Sequence, residues 1–411
     1  MQNSTQSKTK WLILGLSVIT NAIIMAMPAM AMSVLFEEIA ADLGLTLVQV
    51  GTLWGIGSLP TIATTLLSGF IIDRVGPKRI ILIGSLVSSL FLVLRGVSVN
   101  FTMLLLTVVF TGILMPLVSM SNLKLARTWF PPKQMGLASG FLSMGMALGF
   151  LIGSMISATL LSPWLGGWRN VFYFFGAISV LLSLFWLFIP AHAPNAPANA
   201  VGQSLSIGAA IKRVASIRTV WLLGLAGLSV SAVVQSMLGY LPLFLRGQGW
   251  VDVQADGALA TFHAVSLACS LPLAFLSDRV RQRKHVLLFM ASMIVLGIGM
   301  LSFVKGGWVW VAVIIAGFVR DGYMAVFLSM VMDAKGVGAA FAATAAGFTF
   351  LFSSLGQFVW PIVGNSLAER GAGLPFVFWA GLGVLGLVAI ALIKEPDQRF
   401  SAAPDVVVEF E

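Results

Sequence analysis

Twelve apolar runs, each long enough to cross a bilayer, dictate what this chain can fold into. They fall at 11–35, 48–72, 79–98, 102–126, 136–161, 168–189, 219–244, 257–277, 285–304, 307–331, 339–364 and 374–394. A spanning helix needs roughly 20 apolar residues, because about 30 Å of hydrocarbon is crossed at about 1.5 Å per residue. Composition agrees: 58% of the residues are hydrophobic and 9% charged, whereas about 25% of a soluble domain is charged. The excess apolar surface requires lipid. The first run follows Lys8 and Lys10 as in a signal peptide, but its length of about 24 residues exceeds the roughly 7–15 of a signal core, so it reads as helix 1.

Connections between the runs are short and leave no room for an inserted soluble domain. The longest gap, 190–218, holds Pro190, Pro194 and Pro197 among Ala, Asn, Gly and Ser and reads as a flexible linker. The expected organisation is an N-terminal six-helix bundle over 1–190, a cytoplasmic linker over 191–218, a C-terminal bundle over 219–396 and a cytoplasmic tail over 397–411. The formal net charge of +9 raises the question of nucleic-acid binding, and the distribution of charge answers it. Basic residues concentrate on the side of the termini, while the opposite side holds only Arg95, Arg169, Arg246, Lys305 and Arg370. The positive-inside rule then places both termini in the cytoplasm, and the basicity sets topology and not nucleic-acid affinity.

Other classes lack their chemistry. Cys269 is the single cysteine, so an intramolecular disulfide and a cysteine metal site are excluded. His192, His263 and His285 lie far apart, and neither a His-Glu-x-x-His nor a Gly-x-Ser-x-Gly pattern occurs. No enzyme activity, metal or cofactor is expected.

An internal repeat organises the helices. Asp73-Arg74-Val75 matches Asp278-Arg279-Val280, Thr111-Gly112 matches Ala316-Gly317, and the stretch ending at Gly176 matches the one ending at Gly381, each at an offset of 205. Two copies of six helices enter the membrane in the same direction, which is the parallel-repeat arrangement of secondary transporters. The predicted fold is an all-α membrane protein of twelve transmembrane helices in two parallel-repeat six-helix bundles.

The loop after helix 2 reads Gly69-Phe-Ile-Ile-Asp73-Arg74-Val-Gly76-Pro77-Lys78-Arg79, with a weaker copy around Asp278 and Arg279. Together with the repeat, this pattern resembles the major facilitator superfamily over essentially the whole chain. The resemblance implies a solute site between the halves, exposed to alternate sides, and a cytoplasmic gate formed by Gly69, Asp73, Arg74, Gly76, Lys78, Arg79, Asp278 and Arg279. Gly69 permits close approach of a neighbouring helix and Gly76 a sharp turn. The drug antiporters of that superfamily carry an arginine where this chain has Val108 and a proline where it has Phe150. A local likeness to the organic anion:cation symporters lies at Asn122 to Pro131, with Lys124 in the place of their substrate-binding arginine.

Ionisable groups inside spanning helices cost roughly 2.5–3.5 kcal/mol on insertion scales and so call for a reason. Arg320 and Asp321 sit deep in helix 10, with Tyr323 on the face of Arg320. The superfamily's central cavity is lined by helices 1, 4, 7 and 10, which makes Asn21, Asn122, Lys124, Gln235, Arg320, Asp321 and Tyr323 the candidate solute-binding or coupling residues. Competing readings stand beside these: Arg320 and Asp321 as a neutralising pair, Lys124 snorkelling to the interface, Asn21 and Gln235 bonding across helices. The expected function is alternating-access transport of a small organic anion such as a carboxylate, coupled to protons, by a monomer in the cytoplasmic membrane. The alternative is export of drugs or metabolites by antiport.

Overall fold

The fold comes from a computed structural model that describes residues 2–190, 207–279 and 283–393. Among the described residues the chain is helical, with twelve long helices: α1 (Thr9–Val34), α2 (Leu47–Ile56 continued as Ser58–Val75), α3 (Pro77–Val97), α4 (Phe101–Trp129), α5 (Met135–Leu165), α6 (Trp168–Phe188), α7 (Arg218–Gly247), α8 (Asp252–Arg279), α9 (Arg283–Met300), α10 (Trp308–Met332), α11 (Gly338–Leu367) and α12 (Leu374–Ala391). Ten are long and apolar enough to span a membrane, and the bent α2 makes an eleventh. In α8 the charges Asp252, Asp256, Asp278 and Arg279 flank an apolar middle. These helices match the twelve apolar runs of the sequence to within several residues. Inside the stretch read as linker, Ile207–Ala215 forms a helix whose Val214 is buried. The rest of the linker up to residue 206, and the tail at 397–411, lie outside the described residues.

Local chemistry explains where the helices start and bend. Thr46 and Gln49 form a reciprocal capping box at the start of α2, and the Asn100 side chain accepts from the Met103 amide at the start of α4. Gly76 takes φ +94° between α2 and α3, a conformation that L side chains rarely adopt, and Pro77 opens α3. In α1 the turns widen over Thr20–Ala26, just before Pro28, whose ring has no amide to donate and crowds the carbonyl four residues back.

The offset of 205 recurs in space. The backbone of Gly57 lies against Gly112 in the first half, and the backbone of Phe262 against Gly317 in the second. Position 57 plus 205 is 262 and position 112 plus 205 is 317, so helix 4 rests on helix 2 just as helix 10 rests on helix 8. On the axis between the halves, the Ser33 hydroxyl donates to the carbonyl of Leu238, its own repeat equivalent. Widened turns occur in both α1 and α7, the latter at Gly227–Ser231.

The two bundles close against each other on the face away from the termini. A Cβ on Gly51 would meet the Pro361 carbonyl oxygen at 2.6 Å and one on Gly55 the Phe358 carbonyl oxygen at 2.6 Å, so α2 and α11 touch backbone to backbone. The Trp54 indole donates to the Gln235 carbonyl at 2.6 Å, and the Asn365 amide donates to the Leu47 carbonyl at 3.0 Å. Arg246 of α7 reaches Glu37, beyond α1, at 3.3 Å while also pairing with Asp252 at 2.6 Å and Asp256 at 2.7 Å. Towards the termini, by contrast, a Cβ on Gly69, Gly136 or Gly140 would meet nothing within 4 Å. The close helix approach expected at Gly69 is therefore not made in this state, because α11 leans on the distal part of α2.

Candidate functional site

A cavity of about 270 Å³ lies at the junction of the halves. Its wall is supplied by α1 through Ile24 to Met32, by α2 through Leu53 to Thr61, by α3, α4 and α5, and by one glutamine from each of two C-terminal helices, Gln235 and Gln357. The glutamines make it a site of both bundles, and the Ser58 hydroxyl meets Gln357 Oε1 across the boundary at 3.5 Å.

Among the described residues, Arg95 is the only ionisable one in that wall. It belongs to the last turn of α3, where the helix dipole favours a cation. The residue is 4% exposed: its side chain runs inward instead of reaching for the interface. The α3–α4 connection is so short that α4 returns alongside, and Thr107 and Thr111, one turn apart on the same face of α4, meet the guanidinium. Arg95 Nε donates to Thr107 Oγ1 at 3.3 Å and a terminal nitrogen to Thr111 Oγ1 at 3.1 Å. Its carbon centre lies 5.2 Å from the Phe172 ring centroid. Among the described residues no carboxylate pairs with it. A guanidinium carries five N–H donors, and two hydroxyls leave the charge itself uncompensated.

Of the candidates chosen from sequence, Gln235 lines this cavity and the others do not. Asn122 donates to Asn21 Oδ1 at 2.9 Å, and Asn21 in turn donates to the Leu142 carbonyl at 3.3 Å, so the two buried amides join α1, α4 and α5. Lys124 pairs with Asp73, tying the end of α4 to the end of α2. Arg320 and Asp321 pair with each other at 2.6 Å where α10 is interrupted at Val319, and both remain about a quarter exposed. Tyr323 is buried with its ring on Phe327 and its hydroxyl without a hydrogen-bond partner. His263, also buried, places its ring 5.4 Å from that of the cavity residue Phe150.

The gate pattern sits at the face of the termini. Besides the Asp73–Lys124 pair, Lys78 donates to the Leu187 carbonyl at 3.1 Å, while Arg74 and Arg79 are exposed. The side chains of Asp278 and Arg279 lie outside the described ones. A comparable pair, Arg283–Asp333, joins the α9 and α10 ends of the second half.

The sequence pattern of the Major Facilitator Superfamily matches residues 14–361. The chain belongs to this superfamily. Transporters of known structure share its fold: a nucleoside transporter, NupG, superposes with a TM-score of 0.78 at 15% identity over 93% of this chain and 100% of that one. An inward-facing bacterial homologue of the human lysosomal transporter Spinster superposes with a TM-score of 0.68 at 18% identity, over 93% and 94%. In sequence, the chain is 25% identical to the 3-(3-hydroxy-phenyl)propionate transporter of Escherichia coli (strain K12), over 95% of this chain and 96% of that one. It is 26% identical to that organism's probable L-galactonate transporter, over 63% of this chain and 60% of the relative. The probable sulfoacetate transporter SauU of Cupriavidus necator is 25% identical over 95% and 97%. This superfamily membrane protein is thus a transporter by family, with a closed distal face and a cavity whose cation, Arg95, has no carboxylate partner among the described residues.

Proposed function

We propose that the protein carries a small organic anion, a carboxylate, across the cytoplasmic membrane by alternating access, with both termini in the cytoplasm. The observation that carries this reading is Arg95. A cation that is 4% exposed, lines the cavity and lacks a carboxylate partner is stabilised when an anionic solute arrives, because charge-assisted bonds replace an uncompensated buried charge. The free edge of a guanidinium matches the planar carboxylate, which a lysine does not do. The relatives named as transporters of 3-(3-hydroxy-phenyl)propionate, L-galactonate and sulfoacetate have solutes that share a carboxylate, which supports the same class.

The solute site is assigned to Arg95, Thr111, Gln235 and Gln357, within a single chain acting as a monomer. Arg320 is neutralised by Asp321, which suits that pair to coupling: an acid inside a spanning helix that exchanges its salt-bridge partner for a proton during the cycle. Symport with protons follows, with the Asp73 region as the cytoplasmic gate. The test is uptake by proteoliposomes of labelled carboxylates and neutral metabolites, with and without an inward proton gradient. Gradient-driven accumulation of an acid is the expected result. Accumulation of neutral or cationic compounds alone would return the protein to the exporter alternative and Arg95 to a structural role.

A further inference from the structure

We infer that the solute is a monocarboxylate with an apolar body, aromatic or branched aliphatic, and not a polyhydroxylated or dicarboxylic acid. This inference rests on the organic-anion reading above and narrows it through the rest of the cavity wall. Charge comes first. Among the described residues Arg95 is alone: they give the wall no second cation to receive a second carboxylate and no acid to receive an ammonium. A dicarboxylate would bury one charge unpaired.

The remaining polar groups point the same way. The Thr61 hydroxyl donates to the Ser58 carbonyl at 2.6 Å, the Ser58 hydroxyl donates to Gln357 at 3.5 Å, and the Thr111 hydroxyl donates to the Thr107 carbonyl at 3.0 Å. Each hydroxyl carries a single proton, and these three already have acceptors within the protein. The Ser88 hydroxyl and two amides, Gln235 and Gln357, remain to donate to solute polar groups. A sugar acid brings a hydroxyl on nearly every carbon, more than these few groups can satisfy, and each unmet one enters at a penalty in apolar surroundings.

Beside this sparse polar set stand Met25, Met30, Leu53, Trp54, Leu92 and Phe150. Thioethers are polarisable and adapt to ring edges, and indole and phenyl faces stack on flat apolar bodies. One cation, the Ser88 hydroxyl, two amides and a wall of sulfur and aromatic carbon therefore suit an acid such as an arylalkanoate, with room for one ring hydroxyl at an amide.

The experiment measures binding to the purified full chain by ligand-induced thermal stabilisation and by tryptophan fluorescence. The probes are 3-phenylpropionate, 4-methylpentanoate, D-galactonate, galactarate and the neutral 3-phenylpropionamide. Two or more unpaired hydroxyls predict that galactonate binds at least about a hundredfold more weakly than phenylpropionate, that galactarate is no better, and that the amide does not compete. Tightest binding of galactonate or galactarate would overturn the substrate class while leaving the organic-anion reading intact. Equal binding of phenylpropionate and its amide would overturn the anion reading itself, and failure of every acid to bind at millimolar concentration would overturn both.

Discussion

Enlarging Gly55 should force the distal face open. A Cβ built there lies 2.6 Å from the Phe358 carbonyl oxygen and 2.9 Å from that of Gln357, both on α11. Ordinary contact begins near 3.4 Å, so even alanine demands a separation of about 0.8 Å, and the branched Gly55→Val demands more. Overpacking of this kind costs about 1–3 kcal/mol. Because the backbone contact belongs to the state closed on this face, the penalty falls on that state alone, and its population relative to the distally open state drops by about 5-fold to 150-fold. Spin labels on Ala41→Cys and Glu369→Cys, both exposed near the distal face, in a Cys269→Ser background, read the opening by pulsed electron paramagnetic resonance. The expected result is growth of a longer-distance population in the Gly55→Val protein. An unchanged distribution in a folded variant would refute the reasoning that this glycine contact holds the halves together.

Three further outcomes follow from the same geometry. Arg246→Gln strands the fully buried Asp256 without its cation and should destabilise the protein in detergent by about 3–5 kcal/mol, whereas Glu37→Gln, whose side chain is 55% exposed, should cost less than about 1 kcal/mol; paired thermal denaturation curves check the contrast. Asn122→Ala removes the donor to the buried Asn21 and should cost about 1–3 kcal/mol, read the same way, with Asn122→Ala remaining competent for binding because neither amide lines the cavity. Asp73→Asn, which loses an exposed pair with Lys124, should leave stability within about 1 kcal/mol of the native protein and alter the transport rate instead.

Much of the fold can be read from the sequence because membrane physics leaves few alternatives. Helices must satisfy their own backbone in lipid, so the twelve apolar runs had one reading, and the repeat seen at Gly112 and Gly317 reappears as the same glycine contact on residues 57 and 262. The turn at Gly76 was legible because only glycine suits its positive φ. The site was less so. Arg95 falls near the end of an apolar run, where a long cation ordinarily snorkels to water, and it counted as one more topology marker. What reverses that reading is the packing of α4 beside α3, with Thr107 and Thr111 facing the guanidinium. A threonine pair one turn apart just beyond a short turn was the available signal. Lys124 and Arg320 drew attention as buried cations, yet each finds a carboxylate, Asp73 and Asp321. Sequence spacing exposes the adjacent Arg320–Asp321 pair, but not a partner 51 positions away.

In the proposed transport cycle Arg95, and not Arg320, holds the carboxylate. Uptake of labelled 3-phenylpropionate by proteoliposomes, measured for the native protein, Arg95→Gln, Arg95→Lys and Arg320→Gln under one proton gradient and under counterflow without it, tests this most directly. Arg95→Gln should abolish both activities, Arg95→Lys should retain a weakened counterflow, and Arg320→Gln should lose gradient-driven accumulation while still exchanging. Full uptake by a folded Arg95→Gln protein would contradict it.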